Sequence, residues 1–261
     1  MIACKLQINV LKEGVHSGSA SGVVPSPFRL LSKLISRLED SDTGKIDLEN
    51  LNVEIPDERK VQALEMVESL GNWEEEFPWY GNTKPSTSNS YESMLNRTWR
   101  PTMTVIGIDG IPPIKDGGNV LLPFSAANLS FRLPPTADSK KAMQEVEKTL
   151  LSDPPNSCEV SVKWEKAANG WNAPSCKPWL NDAINESSKE IFGKPARAMG
   201  EGGTIPFMSM LGERYPQAQF VITGVLGPNS NAHGPNEFIH IPFAKRLNTC
   251  IALILSNYQK N

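Results

Sequence analysis

Long apolar runs are missing from this sequence. Nowhere do about 18 apolar residues follow one another, so no membrane-spanning helix is expected. Runs of Lys and Arg are missing too, and the formal net charge is -3, which gives no basis for a nucleic-acid partner. Cysteine is sparse and scattered. Cys4, Cys158, Cys176 and Cys250 form no C-x-x-C pair, which argues against a disulfide framework or a zinc knuckle and for a reducing compartment. The opening residues Met1-Ile2-Ala3-Cys4-Lys5 carry neither a signal nor a transit pattern, so a cytoplasmic location is expected and the sequons at Asn96, Asn128 and Asn185 are expected to stay unused. Histidine is the scarcest of the chemically useful residues: only His16, His233 and His240 occur. A protein-bound metal takes three or more convergent ligands, so any metal role for one of them raises the question of its partners.

What is present is ordinary for a globular chain: 39% hydrophobic and 21% charged residues over a length of 261, enough for two small domains. Leu6, Ile8 and Val10 alternate with Gln7 and Asn9 as in a half-buried strand over 5–11. From Pro27, the residues Phe28, Leu31, Leu34, Ile35 and Leu38 recur at helical spacing, with Pro27 suited to the first turn. A second helical pattern runs from Asp57 to Leu70 and closes at Gly71, and 81–93 reads as an exposed loop. Strands are expected over 103–108, within 120–133 and over 158–164, with an amphipathic helix from Asp138 to Leu151 before the last. Setting aside an insertion at 46–97, the order β-α-β-β-α-β predicts an α+β layer: a four-stranded antiparallel sheet with two helices on one face. The Pro- and Asn-containing stretch 169–178 marks a boundary between 1–168 and 169–261. Beyond it the pattern predicts a helix over 178–192, a short strand over 196–199, a helix, a strand over 220–226 and a terminal helix from Glu237 that includes His240. Two strands do not make a stable layer, so this half reads as part of a larger α/β sheet.

Four places could carry chemistry. His233 lies in the Gly/Pro/Asn-rich turn 227–237 between a strand pattern and a helix, where a ring can face a cleft. His16 lies in a turn after the first strand; the spacing alone also fits a surface loop histidine. Arg132 could present its fork to a carboxylate or simply face solvent on the outer side of the pleat. Gly202, Gly203 and Thr204, before Ile205-Pro206, could let a backbone approach an anion at a helix start, or form a tight turn with a Thr cap. The missing Gly-Lys-Ser/Thr ending excludes a nucleotide P-loop.

Taken together, four stretches resemble the M20 family of dinuclear zinc peptidases, within it the carnosinase and cytosolic nonspecific dipeptidase branch. They are His16-Ser17-Gly18 with Gly22-Val23-Val24-Pro25, Ser130-Phe131-Arg132-Leu133-Pro134, Glu201-Gly202-Gly203-Thr204-Ile205-Pro206, and Asn231-Ala232-His233-Gly234-Pro235-Asn236-Glu237. The resemblance implies that 1–168 is the lid and dimerisation domain, with its insertion near 46–97, and that 169–261 is the C-terminal part of an α/β catalytic domain. It implies hydrolysis of a dipeptide or short aminoacyl amide with zinc (or manganese), in a homodimer formed through the lid. It assigns His233 as the last metal ligand and His16 as the lid histidine that polarises the scissile carbonyl in the neighbouring subunit. Arg132, Gly202, Gly203 and Thr204 become anchors of the substrate carboxylate.

The departure is as informative. Family members place a His-x-Asp pair, a further acidic ligand and a Glu-Glu pair before the lid, and no His-x-Asp occurs in these residues. One histidine does not hold two metals, and without a positioned Glu the attacking water has no base. The chain is therefore expected to be inactive by itself. A non-catalytic dimerisation or regulatory protein built on the lid is the alternative expectation.

Overall fold

The computed structural model describes residues 1–201, 206–227 and 229–258. Fourteen regular elements follow in chain order: β1 (Ile2–Asn9), β2 (Val15–His16), α1 (Ser17–Ala20), α2 (Pro27–Ile35), α3 (Asp57–Leu70), α4 (Ser90–Thr98), β3 (Thr102–Asp109), β4 (Val120–Leu121), β5 (Phe124–Arg132), α5 (Ser139–Leu151), β6 (Glu159–Ala167), α6 (Pro178–Phe192), α7 (Pro206–Arg214) and α8 (Ile241–Tyr258). They group into two compact units. One holds Met1–Pro56, Glu92–Trp171 and Gly200–Phe207; the other holds Asp57–Tyr91, Asn172–Met199 and Met208–Asn261.

The first unit is built on a four-stranded sheet in the order β3-β5-β1-β6, antiparallel at every pairing. This is the expected sheet, and its cause is visible in β1. Ile2, Cys4, Leu6 and Ile8 point to one face and are fully buried, while Lys5, Gln7 and Asn9 point to the other. Ala127, Leu129 and Phe131 of β5 continue the buried face, and Val160, Val162 and Trp164 of β6 pack against it. The two helices cover that face with Leu30, Leu31 and Leu34 from α2 and Ala142, Val146 and Leu150 from α5. Pro27 occupies the first turn of α2, and Asp138 caps α5 by accepting from the amides of Lys140 and Lys141. Each fully buried Leu, Ile or Phe contributes roughly 1.5–3 kcal/mol against the exposed chain.

β3 is different. It lies at the sheet edge, its register with β5 shifts between Val105 and Gly107, and Val105, Ile106 and Ile108 are exposed. An apolar edge strand with unpaired backbone groups is a surface made for another strand.

In the second unit α6 packs on α8 through Leu180, Ala183, Cys250 and Ile254. Gly193 ends α6 with φ 74°, its amide bonded to the Lys189 carbonyl at 2.9 Å. Arg246 of α8 lies over the Phe192 ring at 4.6 Å and donates to the Ile191 carbonyl, tying the end of α6 to α8.

Three expectations need correction. Residues 196–199 and, apart from their neighbours, 220–226 form no strand; the described backbone there is irregular. A strand exists by pairing, and neither segment finds a ladder partner among the described residues, so even the β-branched Val221-Ile222-Thr223 is not held extended by propensity alone. The terminal helix starts at Ile241 rather than Glu237. His240 lies just ahead of it, exposed, with its Nδ1 accepting the Phe243 amide at 3.2 Å and its carbonyl accepting the Ala244 amide. It is a cap, not a residue of the helix interior.

Candidate functional site

His16 is held more firmly than a loop residue. Val15 and His16 pair with Leu121 and Val120 in the β2–β4 ladder, and the next amide, Ser17, donates to the Asn119 carbonyl at 2.9 Å. Gly14 permits this close pairing, because a Cβ there would lie 2.8 Å from Val120 Cγ1. His16 then caps α1: its φ and ψ are -59° and 129°, and its Nδ1 accepts the Gly18 amide at 3.1 Å. The side chain is exposed.

Arg132 ends β5 opposite Thr102, exposed and pointing away from the buried face on which its neighbour Phe131 lies. Arg132 and Lys166 place two positive charges near the chain's amino group. The Met1 amino group has its pKa lowered by burial first and then by Arg132 and Lys166. Such a field suits an anionic guest.

Gly202, Gly203 and Thr204 lie outside the described residues. Their approach from the N-terminal side is anchored. Glu201 accepts from Arg97 Nη2 at 3.3 Å, and Gly200 runs so close to α4 that a Cβ would lie 3.0 Å from the Thr98 Cβ. Arg97 and Thr98 carried no signal of this in the sequence, because the contact joins residues about a hundred positions apart.

His233 sits in a turn where Asn229, Asn231, His233 and Asn236 all have positive φ, between 52° and 63°. Asn and His are among the side chains found most readily in this left-handed region, so the four residues suit the turn. The turn is held by Asn231 Nδ2, which donates to the Pro235 carbonyl at 2.6 Å, and by the Glu237 carboxylate, which accepts the His233 amide at 3.0 Å. His233 is exposed.

Among the described residues no group of three or more His, Cys, Asp or Glu side chains converges, and the Glu237 carboxylate accepts the His233 backbone amide. These residues do not by themselves fit a metal centre.

Comparison with known proteins now decides the family. The peptidase dimerisation domain of the M20 family matches residues 3–158. The chain belongs to the M20 peptidase dimerisation-domain family. A cysteinylglycine-S-conjugate dipeptidase of Corynebacterium striatum is 24% identical over 262 residues, covering 92% of this chain and 52% of that protein. Among solved structures, a di-peptidase of Saccharomyces cerevisiae superposes with a TM-score of 0.73 at 18% identity, covering 100% of this chain and 54% of the other. Human carnosine dipeptidase 1 gives 0.71 at 17% identity, covering 100% and 55%. The M20 chain described here thus spans about half the length of these relatives. Its fold is theirs over the shared residues.

Proposed function

We propose that this chain is the lid and the C-terminal part of the catalytic domain of an M20 dipeptidase. Residues 1–168 form the lid, and 169–261 contribute to the catalytic domain. The reaction is metal-dependent hydrolysis of a dipeptide or short aminoacyl amide, with zinc or manganese, in the cytoplasm. No helix among the described residues is long and apolar enough to cross a membrane.

The observation that carries this reading is His16, presented on a rigid ladder with its ring capped on one nitrogen. A histidine so held donates a hydrogen bond to the oxygen of the scissile carbonyl as charge builds there. Arg132 receives the substrate carboxylate, for which its fork and positive surroundings are suited. Gly202, Gly203 and Thr204 supply further donors to the same carboxylate. His233 is the ligand this chain contributes to the metal site, the others coming from residues of the kind that precede the lid in the family. The exposed edge of β3 supports homodimerisation through the lid.

The test is release of free amino acids from a dipeptide panel with zinc or manganese added. The chain alone is expected to show no turnover. Joined to the His-x-Asp and Glu-Glu segment of an M20 dipeptidase, it is expected to turn over, and His233→Ala is expected to abolish this. Turnover by the joined protein that survives His233→Ala contradicts the assignment.

The absence of a converging donor group among the described residues favours one second reading, a non-catalytic dimerisation protein. It predicts pairing with a complete dipeptidase subunit, read by co-purification, and no turnover from the joined protein.

A further inference from the structure

His16 touches its own turn in a way that fixes where its proton sits. A neutral imidazole has one nitrogen that donates and one that accepts. Nδ1 of His16 accepts the Gly18 amide at 3.1 Å, so its lone pair is engaged there. The proton of the neutral ring then lies on Nε2, the nitrogen at the far end of an exposed side chain. The same residue that supplies the amide also makes room for the ring. A Cβ on Gly18 would lie 3.0 Å from His16 Cε1 and 3.1 Å from Nδ1, tighter than ordinary contact. The backbone beneath is pinned, because Val15 and His16 pair with β4 and Ser17 donates to Asn119.

We infer that Gly18 is a positioning residue: its amide and its missing side chain together lock His16 as the Nε2–H tautomer, so that the ring is a committed hydrogen-bond donor. This rests on the reading of His16 as the group that faces the substrate carbonyl. A donor is what an oxygen gaining negative charge requires, and a ring free to exchange tautomers would present a lone pair to it part of the time. The His-Ser-Gly spacing acquires a reason: the amide two residues on is the one that reaches back to the ring, and a side chain there would press the ring aside by a few tenths of an ångström.

The experiment is solution NMR on the full chain with 15N-labelled imidazoles, at a pH where His16 is neutral. Long-range proton–nitrogen spectra read the tautomer, and a through-bond coupling between the Gly18 nitrogen and His16 Nδ1 reads the hydrogen bond. The folded chain is expected to show the coupling and an Nε2–H to Nδ1–H ratio raised about fivefold over the urea-unfolded chain, as one net hydrogen bond requires. Gly18→Pro, which removes the amide proton, is expected to return the ratio to the unfolded value with the backbone amide spectrum of β1 and β5 intact. Gly18→Ala keeps the amide but displaces the ring, and is expected to lose the coupling. No coupling in the wild-type chain, or a ratio equal to that of the unfolded chain, overturns the lock whether or not either variant folds. The functional reading fails separately: the expected tautomer, together with an unchanged kcat for His16→Ala in the joined protein, leaves the lock standing and removes its catalytic purpose.

Discussion

His16 and His240 do the same local task, each accepting an amide on Nδ1 at a helix start, and the sequence prepared for neither. Cap geometry depends on the backbone angles of two or three residues, which composition and period do not report. His16 was expected in a flexible turn after the first strand, whereas it ends a two-residue strand paired with β4, about a hundred residues on. His240 was placed inside a helix because the terminal helix was expected from Glu237; the neighbouring Phe238, Ile239 and Ile241 are all exposed. Cys4 shows the opposite case. Strand alternation placed Leu6 and Ile8 on one face, and Cys4 falls in step with them. Burial pushes its thiol up to about 12, with Glu165 and Glu147 adding to the effect. The folded state therefore favours the neutral thiol. Stability from this group is complete below the ordinary thiol value of 9.0 and is lost as pH rises toward about 12. Iodoacetamide at mildly alkaline pH is expected to label the exposed Cys176 and spare Cys4 until the chain is unfolded, as read by peptide mass spectrometry; equal labelling of the two in the native chain would contradict this.

Among elements, the legible ones are those whose signal is repeated. α3 and α6 were placed with their full extents, because each has an apolar period and a glycine in the left-handed region just past its end, Gly71 and Gly193. β1, β5 and β6 were placed by alternation, with ends displaced by a few residues. The strands that failed, at 196–199 and 220–226, have no pairing partner among the described residues, and only the second carries β-branched residues. β3 reveals what pattern cannot: it was correctly a strand, but whether its apolar residues face a core or solvent depends on how far the two helices reach across the sheet. They leave Ile106 at 61% and Ile108 at 55% exposure, which points to a partner strand or surface. The double substitution Ile106→Lys and Ile108→Lys is expected to convert a dimer to a monomer by sedimentation while leaving the circular dichroism unchanged. A dimer that persists would place the interface elsewhere.

For the molecule as a whole, the first unit was legible as a layer, and its sheet, order of elements and helix-covered face follow from binary pattern. The grouping was less so. An insertion near 46–97 was expected within the lid; of it, Asp57–Tyr91 groups with Asn172–Met199 and Met208–Asn261 in the second compact unit. Arg59 donates to the Ala173 carbonyl and Arg197 approaches Glu65 at 3.9 Å, contacts between segments more than a hundred residues apart that no local signal foretells. Of the candidate site, motif order singled out His16, Arg132 and His233 as proposals, and what the sequence did not report is their setting: a ladder with β4 under His16, Arg132 near the chain's amino group, and a positive φ at His233. The central claim is that His16 donates to the reacting carbonyl. It is tested most directly by the kinetics of dipeptide hydrolysis in the joined protein carrying His16→Ala. A fall in kcat of about 10²–10³-fold with KM little changed is the predicted result, as for loss of one oxyanion donor. An unchanged kcat would contradict it.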